Sequence, residues 1–203
     1  MGIETQAPVI LASGSAVRGA LLRQAGIAFT IDPPDVDESI IKEAGLSAGK
    51  TVTQVAEDLA AAKAEAVVGR HPGGYVIAAD QMLEFEGRWL DKPRTAAEAG
   101  ERLLEFSGKS HRLITAVVLR RDDVTLLDYT GYAELKVRRL SETFVADYLD
   151  AMGDEVCRSV GGYQLEGLGS HLFEAVDGDF FTILGLPMLP LLQVFRREGV
   201  LSA

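Results

Sequence analysis

Ile10-Leu11-Ala12-Ser13-Gly14-Ser15-Ala16-Val17-Arg18 is the stretch that decides the fold of this 203-residue chain. A short apolar run breaks there into small hydroxyl residues and then enters a helical pattern. Val17, Leu21 and Leu22 share one face of that helix, and Gly26 is its expected C-terminal cap. The stretch therefore predicts a strand, a loop and a helix, and the alternation of strands with helices along the chain indicates an α/β fold.

The loop of this stretch lies at the N-terminus of the predicted helix. Free backbone N–H groups and the positive end of the helix dipole favour an anion there. Ser13, Ser15 and Arg18 add hydroxyl and guanidinium donors, so phosphate is the ligand that this chemistry suggests. The loop has neither the Walker A pattern nor GxGxxG, and the simpler alternative is that Ser15 only caps the helix.

Charge and composition exclude several classes of function. The formal net charge of −10 disfavours nonspecific binding to nucleic acid or to an anionic membrane, because the field of the protein repels phosphate backbones. Cys157 is the one cysteine, which leaves no internal disulfide and no multi-cysteine metal site. Residues 1–8 carry no export signal, and no apolar run approaches the roughly 20 residues of a membrane span. We therefore expect a cytoplasmic protein whose residues 1–203 form a single domain.

Two segments carry candidate carboxylate ligands for a cation. Asp35-Val36-Asp37-Glu38 follows the rigid Pro33-Pro34 turn and could hold a hard divalent ion, or it could simply be solvated. Asp80 ends the apolar run Tyr75-Val76-Ile77-Ala78-Ala79, which is typical of a central strand. A carboxylate at the end of a buried strand is costly unless it is paired or metal-bound, and ligands of open α/β sheets lie at such strand ends. An aspartate that only initiates a turn is the alternative.

Two lysines stand out by their positions. Thr51 and Gln54 have the form of a capping box that opens a long helix, with Lys63 at the edge of its apolar face. The buried stripe predicted for that face is Val52, Val55, Leu59, Ala62 and Ala66. Lys63 either reaches a buried partner or extends to water. Lys92 precedes Pro93, which favours an extended backbone and suits a side chain that points steadily at a ligand.

The rest of the chain supplies the remaining strands and helices. His111 alone is more often structural than catalytic, and the other two histidines are too scattered to form a zinc signature with it. The glycine-rich run over residues 161–169 permits either a mobile loop or the close approach of a ligand. The other predicted elements are a strand over 27–31, a hairpin turn at Glu86-Gly87, a helix capped by Thr95, strands over 111–119 and 131–138, a helix capped by Ser141 and a helix with Pro187 in its first turn.

Taken in order, these motifs resemble those of the Maf family of nucleotide pyrophosphatases. The matching segments are LASGS with Arg18, PDVDE ending at Glu38, AAAKA around Lys63, ADQ around Asp80, Lys92-Pro93, SGKSH ending at His111, GGYQLEG ending at Gly167 and GLPM ending at Met188. Asp91 and Ala116 depart from the family pattern, which usually has glycine at both places. The segments span roughly residues 8–195 in the family's order, which is far more specific than any one of them.

The resemblance implies a Maf/ITPase-like mixed α/β fold, with a mixed sheet, flanking helices and two lobes around a central nucleotide cleft, usually in a homodimer. It implies a hydrolase acting on acid anhydrides, which converts a nucleoside triphosphate and water to the monophosphate and pyrophosphate. Asp80 would be the proton acceptor, and Glu38 and Asp80 would hold a divalent cation, Mg²⁺ or Mn²⁺. The groups that would hold and activate the triphosphate are Ser13, Ser15, Arg18, Lys63 and Lys92, of which Arg18 and Lys92 would be catalytic.

Three residues indicate which base the nucleotide substrate carries. The carboxylate of Glu166 can accept both N1–H and N2–H of guanine, and methylation at N7 adds a positive charge that a carboxylate favours. The thymidine- and uridine-directed branch of the family has other residues at the positions of Val17, Gln81 and Glu166, so the chain resembles the 7-methyl-GTP branch. A dTTP- or UTP-directed pyrophosphatase is the alternative. A noncatalytic nucleotide-binding regulator of cell division and an enzyme acting on a phosphorylated sugar are the rivals.

Overall fold

The computed structural model of the protein describes residues 7–201, along which strands alternate with helices. The strands are β1 (Val9–Leu11), β2 (Thr30–Ile31), β3 (Tyr75–Phe85), β4 (Arg88–Leu90), β5 (Ser110–Arg121), β6 (Val124–Val137) and β7 (Phe173–Gly178). The α-helices are α1 (Ala16–Gln24), α2 (Glu38–Ser47), α3 (Val52–Val68), α4 (Ala96–Phe106), α5 (Glu142–Met152), α6 (Phe180–Ile183) and α7 (Met188–Arg197). Two 3₁₀ helices cover Gly153–Arg158 and Leu168–Leu172.

The described strands form one mixed sheet of seven, in the order β2-β1-β3-β5-β6-β7, with β4 paired to β3. β1 runs parallel to β2 and to β3, whereas β4 is antiparallel to β3 and β7 is antiparallel to β6. Parallel neighbours need a crossover connection, and α1 lies in the one that joins β1 to β2. The predicted mixed α/β fold is therefore confirmed.

The chain divides into two compact units. The described part of the first unit comprises residues 7–80, 115–131 and 180–201. Its core is a cluster of buried apolar side chains from β1, β3, α1 and α7, among them Leu11, Ile77, Leu22, Leu191 and Phe195. Burying a side chain of this size contributes about 1.5–3 kcal/mol, so the first unit has a substantial core of its own.

The second unit comprises residues 81–114 and 132–179, and aromatic rings form its centre. Phe106 packs against Phe85 with 4.7 Å between ring centroids and against His111 with 4.6 Å. Tyr163 packs edge-on against Phe173 with 4.8 Å between centroids. Such ring pairs add to the free energy of burial, which gives this unit a separate core.

A single domain over residues 1–203 stays a prediction.

Four helix N-termini lie where the sequence places them, whereas Pro187 is the N-cap of α7 and not part of its first turn. The side chain of Thr51 accepts a hydrogen bond from the backbone N–H of Gln54, and the side chain of Gln54 accepts one from the backbone N–H of Thr51. These reciprocal bonds form the predicted capping box. Ser15, Thr95 and Ser141 each accept a bond from the backbone N–H three residues ahead, so all these predicted caps are confirmed.

The prediction that Asp80 ends its strand is wrong. β3 continues through Asp80 to Phe85 and then turns into β4 at Glu86 and Gly87, whose φ angles are 50° and 76°. The pairing of β3 with β1 stops before Asp80, because it ends at Ile77. Asp80 therefore lies inside a long strand, beyond the part of it that β1 covers.

Two further predictions need correction in detail. The second strand covers Thr30–Ile31 rather than the whole of 27–31, since only these residues continue the ladder with β1. On α3, Lys63 lies within the buried face and not at its edge. The buried stripe passes through Ala56, Ala60, Ala64 and Val67, whereas Ala62 and Ala66 are only half-buried.

No helix within residues 7–201 combines the length and the apolar character that crossing a bilayer demands.

Candidate active site

The first unit brings together most of the predicted site residues. They lie on the β1–α1 loop and first turn of α1, at the start of α2, on the buried face of α3 and within β3. In chain order they are Ser13, Ser15, Val17, Arg18, Glu38, Lys63 and Asp80.

Lys63 joins two of the predicted carboxylates. Its Nζ lies 2.6 Å from Oε1 of Glu38 and 2.6 Å from Oδ1 of Asp80. Lys63 is only 8% exposed and Asp80 only 5% exposed, whereas the side chain of Glu38 is 44% exposed. Charges at this depth persist only when they are paired, so the ammonium group and the two carboxylates stabilise one another.

Local structure explains why Glu38, and not Asp37, takes part in this cluster. Asp37 is the N-cap of α2, and its Oδ1 accepts bonds from the backbone N–H of Ser39 at 3.0 Å and from its hydroxyl at 2.6 Å. These bonds lower the pKa of the Asp37 carboxyl. Glu38 begins the helix and is directed to Lys63, with Lys42 at 3.8 Å as a second cation. The acidic segment is thus divided between a helix cap and the buried lysine.

The hydroxyl loop is organised around Arg18. The Ser13 hydroxyl accepts bonds from the backbone N–H of Ser15 at 3.2 Å and from Nη1 of Arg18 at 3.1 Å. Nε of Arg18 donates to the carbonyl of Gly185 at 2.7 Å. Ser15 caps α1, as the simpler alternative required, through a 3.4 Å bond from the backbone N–H of Arg18. Ser15 can cap α1 while an anion binds at the same end of the helix, because the first turn of a capped helix has other backbone N–H groups without a partner inside the helix.

Arg18 also belongs electrostatically to the carboxylate cluster. Burial lowers the pKa of its guanidinium, and the charges of Asp80 and Glu38 act in the opposite direction. The guanidinium of an arginine keeps its charge in proteins. Within the first unit, two cations and two carboxylates therefore form one group, although the net charge of the protein is −10. They are Arg18, Lys63, Glu38 and Asp80.

The second unit contains the other predicted residues. Gln81 is half-buried in β3, Lys92 is exposed between β4 and α4, and Glu166 is exposed in the glycine-rich segment before the second 3₁₀ helix. Their roles in catalysis and in selection of the base stay predictions.

Sequence reasoning missed one residue beside Lys92. Arg102, which is 9% exposed on α4, donates from Nη1 to the carbonyl of Asp91 and, at 2.7 Å, to the carbonyl of Val160. Its Nη2 donates to Glu98 at 3.2 Å. The backbone before Lys92 is therefore fixed although Asp91 replaces the usual glycine. The sequence feature that could have indicated Arg102 is the one that indicated Lys63, a charged residue next to the apolar positions of its helix.

Comparisons with known proteins show the family of the chain. The sequence model of the family described as Maf-like protein matches residues 8–198. The chain belongs to the Maf family. A relative from Paramagnetospirillum magneticum, named nucleoside triphosphate pyrophosphatase, is 50% identical over 95% of this chain and 99% of its own length. A relative of the same name from Nitrobacter hamburgensis is 49% identical over 96% of each chain. A Rhizobium etli relative, named 7-methyl-GTP pyrophosphatase, is 45% identical over 96% of this chain and 98% of its own length.

The donor set of this Maf protein fits a divalent cation whose remaining ligands are waters or substrate phosphates. Glu38 and Asp80 would supply hard oxygen ligands, and both carboxylates already contact one positive charge, the ammonium group of Lys63. Among residues 7–201, no group of three or more His, Cys, Asp and Glu side chains could hold an ion by itself. Mg²⁺ is usually bound by one or two carboxylates together with waters and substrate phosphates, which is the mode that two carboxylates permit.

His111 of this Maf protein is placed as a structural histidine. It is 3% exposed, stacks on Phe106, and its Nε2 lies 2.5 Å from the hydroxyl of Tyr163. Burial lowers its pKa to about 3. The neutral imidazole therefore helps to hold Tyr163, the aromatic residue of the glycine-rich segment, in the core of the second unit.

Proposed function

We propose that this Maf protein hydrolyses 7-methyl-GTP to 7-methyl-GMP and pyrophosphate, as a house-cleaning enzyme for a modified nucleotide. Its family and its relatives at 45–50% identity make it a nucleoside triphosphate pyrophosphatase, a hydrolase acting on acid anhydrides. The observation that carries the activity is the charged cluster in which the buried Lys63 bridges Glu38 and Asp80, with Arg18 as a second cation. Burying an ammonium group and a carboxylate is costly, so such a pair is retained where its charges serve a function.

The carboxylate of Asp80 acts as the general base. It accepts a proton from a water molecule whose oxygen attacks the α-phosphorus, the bond between the α-phosphorus and its bridging oxygen breaks, and pyrophosphate leaves. Glu38 and Asp80 would hold a divalent cation, Mg²⁺ or Mn²⁺, which supplies neutralisation of phosphate charge and a lower pKa for a bound water. Such a general base contributes about 10²- to 10⁴-fold to the rate.

The loop before α1 binds the phosphates. Ser13 and Ser15 offer hydroxyl groups, and the N-terminus of α1 offers backbone N–H groups and a positive dipole end. Arg18 contributes a guanidinium that its bonds to Ser13 and Gly185 hold in one orientation. With Lys63 and Lys92 these groups stabilise the charge that develops at the α-phosphate, and this electrostatic term is usually the largest in such reactions.

Glu166 selects the base, with Gln81 and Val17 as the other specificity positions. A carboxylate accepts the two adjacent donors on the pairing edge of guanine, whereas thymine and uracil offer one donor between two acceptors. The positive charge of 7-methylguanine strengthens the attraction to a carboxylate relative to guanine. The name of the Rhizobium etli relative gives further support to this choice.

The test measures kcat/KM for 7-methyl-GTP, GTP, dTTP and UTP, with Mg²⁺ or Mn²⁺, on the parent protein and on Glu166→Gln. We expect the parent to prefer 7-methyl-GTP, and we expect Glu166→Gln to lose about tenfold of that preference over dTTP, because a charged hydrogen bond is removed. Glu174→Gln, which changes an exposed glutamate of β7, is the matched control and should leave selectivity unchanged.

Three results would contradict the proposal in different ways. A parent that prefers dTTP or UTP belongs to the other substrate branch, and unchanged selectivity in Glu166→Gln removes Glu166 from base selection. A parent that binds nucleotides without releasing pyrophosphate is a noncatalytic regulator. The homodimer and the cytoplasmic location remain predictions, and light scattering after size-exclusion chromatography tests the first.

A further inference from the structure

One ammonium nitrogen occupies the place where the two proposed cation ligands meet. Nζ of Lys63 lies 2.6 Å from an oxygen of Glu38 and 2.6 Å from an oxygen of Asp80. A magnesium ion binds carboxylate oxygens at about 2.1 Å and needs their lone pairs directed at it. The lone pairs that these two oxygens direct at Lys63 are therefore not available to a metal ion in this arrangement.

The same contacts restrict what Lys63 can do for a substrate. An ammonium group has three donors, and two of them are directed at carboxylates at short distance. A phosphate held by Lys63 at this position would also face both carboxylates, and like charges repel. While Lys63 keeps both contacts, it can offer a phosphate only its third donor, and the two carboxylates already compensate its charge.

We propose that Lys63 is the resident counter-ion of the cation site. Before a divalent cation binds, Lys63 holds the carboxylates of Glu38 and Asp80 close together and compensates their charge. The ammonium group leaves when the cation takes its place, and it then becomes available to the phosphates of the nucleotide. This inference rests on the proposed assignment of Glu38 and Asp80 as cation ligands.

The surroundings of the three residues permit such an exchange. The stem of Lys63 has four rotatable methylene carbons and starts from a fixed helix, so the ammonium can move while α3 stays in place. The side chain of Glu38 is 44% exposed at the start of α2, which lets it turn towards a new partner. Asp80 lies inside β3 at 5% exposure and is the fixed member of the three.

A direct consequence concerns cation affinity without nucleotide. Removal of the lysine charge leaves two carboxylates that repel each other and attract any cation more strongly. Lys63→Met keeps a long unbranched side chain of similar volume but removes the charge. Lys42→Met is the matched control, because Lys42 approaches the same carboxylate of Glu38 at 3.8 Å from a more exposed position.

The experiment is a calorimetric titration of the full-length parent and both variants with Mn²⁺, in the absence of nucleotide. We expect Lys63→Met to bind Mn²⁺ about tenfold more tightly than the parent, or better, and Lys42→Met to stay within about threefold of it. A second variant, Lys63→Met combined with Asp80→Asn, should lose the gain. Equal or weaker binding by Lys63→Met, an equal gain in Lys42→Met, or a gain that survives Asp80→Asn each contradict the proposal.

A measurement on the parent protein covers the case in which Lys63→Met fails to fold. Lysine labelled with ¹³C at the ε carbon gives one NMR signal per lysine, and Mg²⁺ is diamagnetic. The signal of Lys63 should move on titration with Mg²⁺ while that of Lys50, paired with Asp58 on the surface, stays in place. A stationary Lys63 signal at saturating Mg²⁺ overturns the exchange.

Failure of this inference is distinguishable from failure of the proposed function. Pyrophosphate release from 7-methyl-GTP by the parent is followed separately. An active parent whose Lys63→Met variant gains no affinity rejects only the exchange, whereas an inactive parent rejects the proposed function.

Discussion

Asp80 shows how strongly a single residue depends on its partners. It is 5% exposed inside β3, and a carboxylate at that depth is stable because its Oδ1 receives a bond from Lys63. Lys63 is in turn shared with Glu38, so removal of one carboxylate leaves the other in place. Asp80 can therefore be substituted while Lys63 keeps Glu38 as a partner.

Asp80→Asn tests the general base at this scale. The substitution removes a negative charge and the proton-accepting group but almost no volume, so we expect kcat to fall by about 10²- to 10⁴-fold while the fold is kept. Steady-state pyrophosphate release measures the first effect and circular dichroism the second. Asp58→Asn, at an exposed ion pair with Lys50, is the matched control and should keep its activity. Turnover within about threefold of the parent, with an unchanged dichroism spectrum, would remove Asp80 from the mechanism.

At the scale of secondary-structure elements, α3 presents Lys63 to the site. The helix begins at a capping box and buries one face, and Lys63 is part of that face between Ala60 and Val67. The cap at Thr51 satisfies backbone groups of the first turn, whereas Lys63 lies in the second half of the helix, where the buried face packs against the rest of the first unit. The cap therefore bears on the stability of α3 and the packing on the position of the ammonium group.

Thr51→Ala removes the cap of α3. We expect the free energy of unfolding to fall by about 1 kcal/mol, because the backbone N–H of Gln54 loses its side-chain acceptor. Urea unfolding followed by circular dichroism measures the change. Thr53→Ala, two residues on in the first turn of the same helix, is the matched control for the loss of a threonine. Equal destabilisation by the two substitutions would show that the cap contributes nothing.

At the scale of the whole molecule, the two compact units have separate cores of different chemistry. The first is built mainly from aliphatic side chains of the strands and of α1 and α7, with Tyr75 and Phe195 among them, and the second from rings packed around His111. A buried neutral histidine makes stability depend on pH, because protonation is easier in the unfolded chain. The ordinary pKa of histidine is 6.5, whereas burial lowers that of His111 to about 3. Between these values the unfolded state binds more protons, and stability falls as the pH falls.

His111 therefore predicts a loss of stability in mild acid. From pH 7 to pH 5 the parent should lose about 2 kcal/mol more than His111→Gln, since one pKa unit corresponds to about 1.4 kcal/mol. Trp89 is the one tryptophan of the chain and lies in the second unit, so its fluorescence during urea unfolding reports on the relevant core. Asp32, whose pKa is lowered to about 2 by Arg70 and His71, titrates below this window in either state. Parallel pH dependence of parent and variant would refute the assignment.

The sequence by itself determined the features that a few neighbouring residues encode. The caps at Ser15, Thr51, Thr95 and Ser141 and the hairpin turn at Glu86 and Gly87 are present as predicted. Each is made by hydrogen bonds or dihedral angles within about four residues, so the printed order of residue types is sufficient. The ordered set of motifs likewise indicated the family, which the match over residues 8–198 shows.

Only the tertiary structure decided which charges meet. Glu38, Lys63 and Asp80 come from three elements that are far apart in the chain, and no local pattern states that one ammonium joins both carboxylates. The sequence placed Lys63 at the edge of a helical face and Asp80 at the end of a strand, and both positions were wrong. Side-chain periodicity predicts only which face of a helix or strand a residue belongs to. Packing in the folded protein then fixes the position of the side chain. The high cost of burying an unpaired charge explains why Lys63 contacts carboxylates.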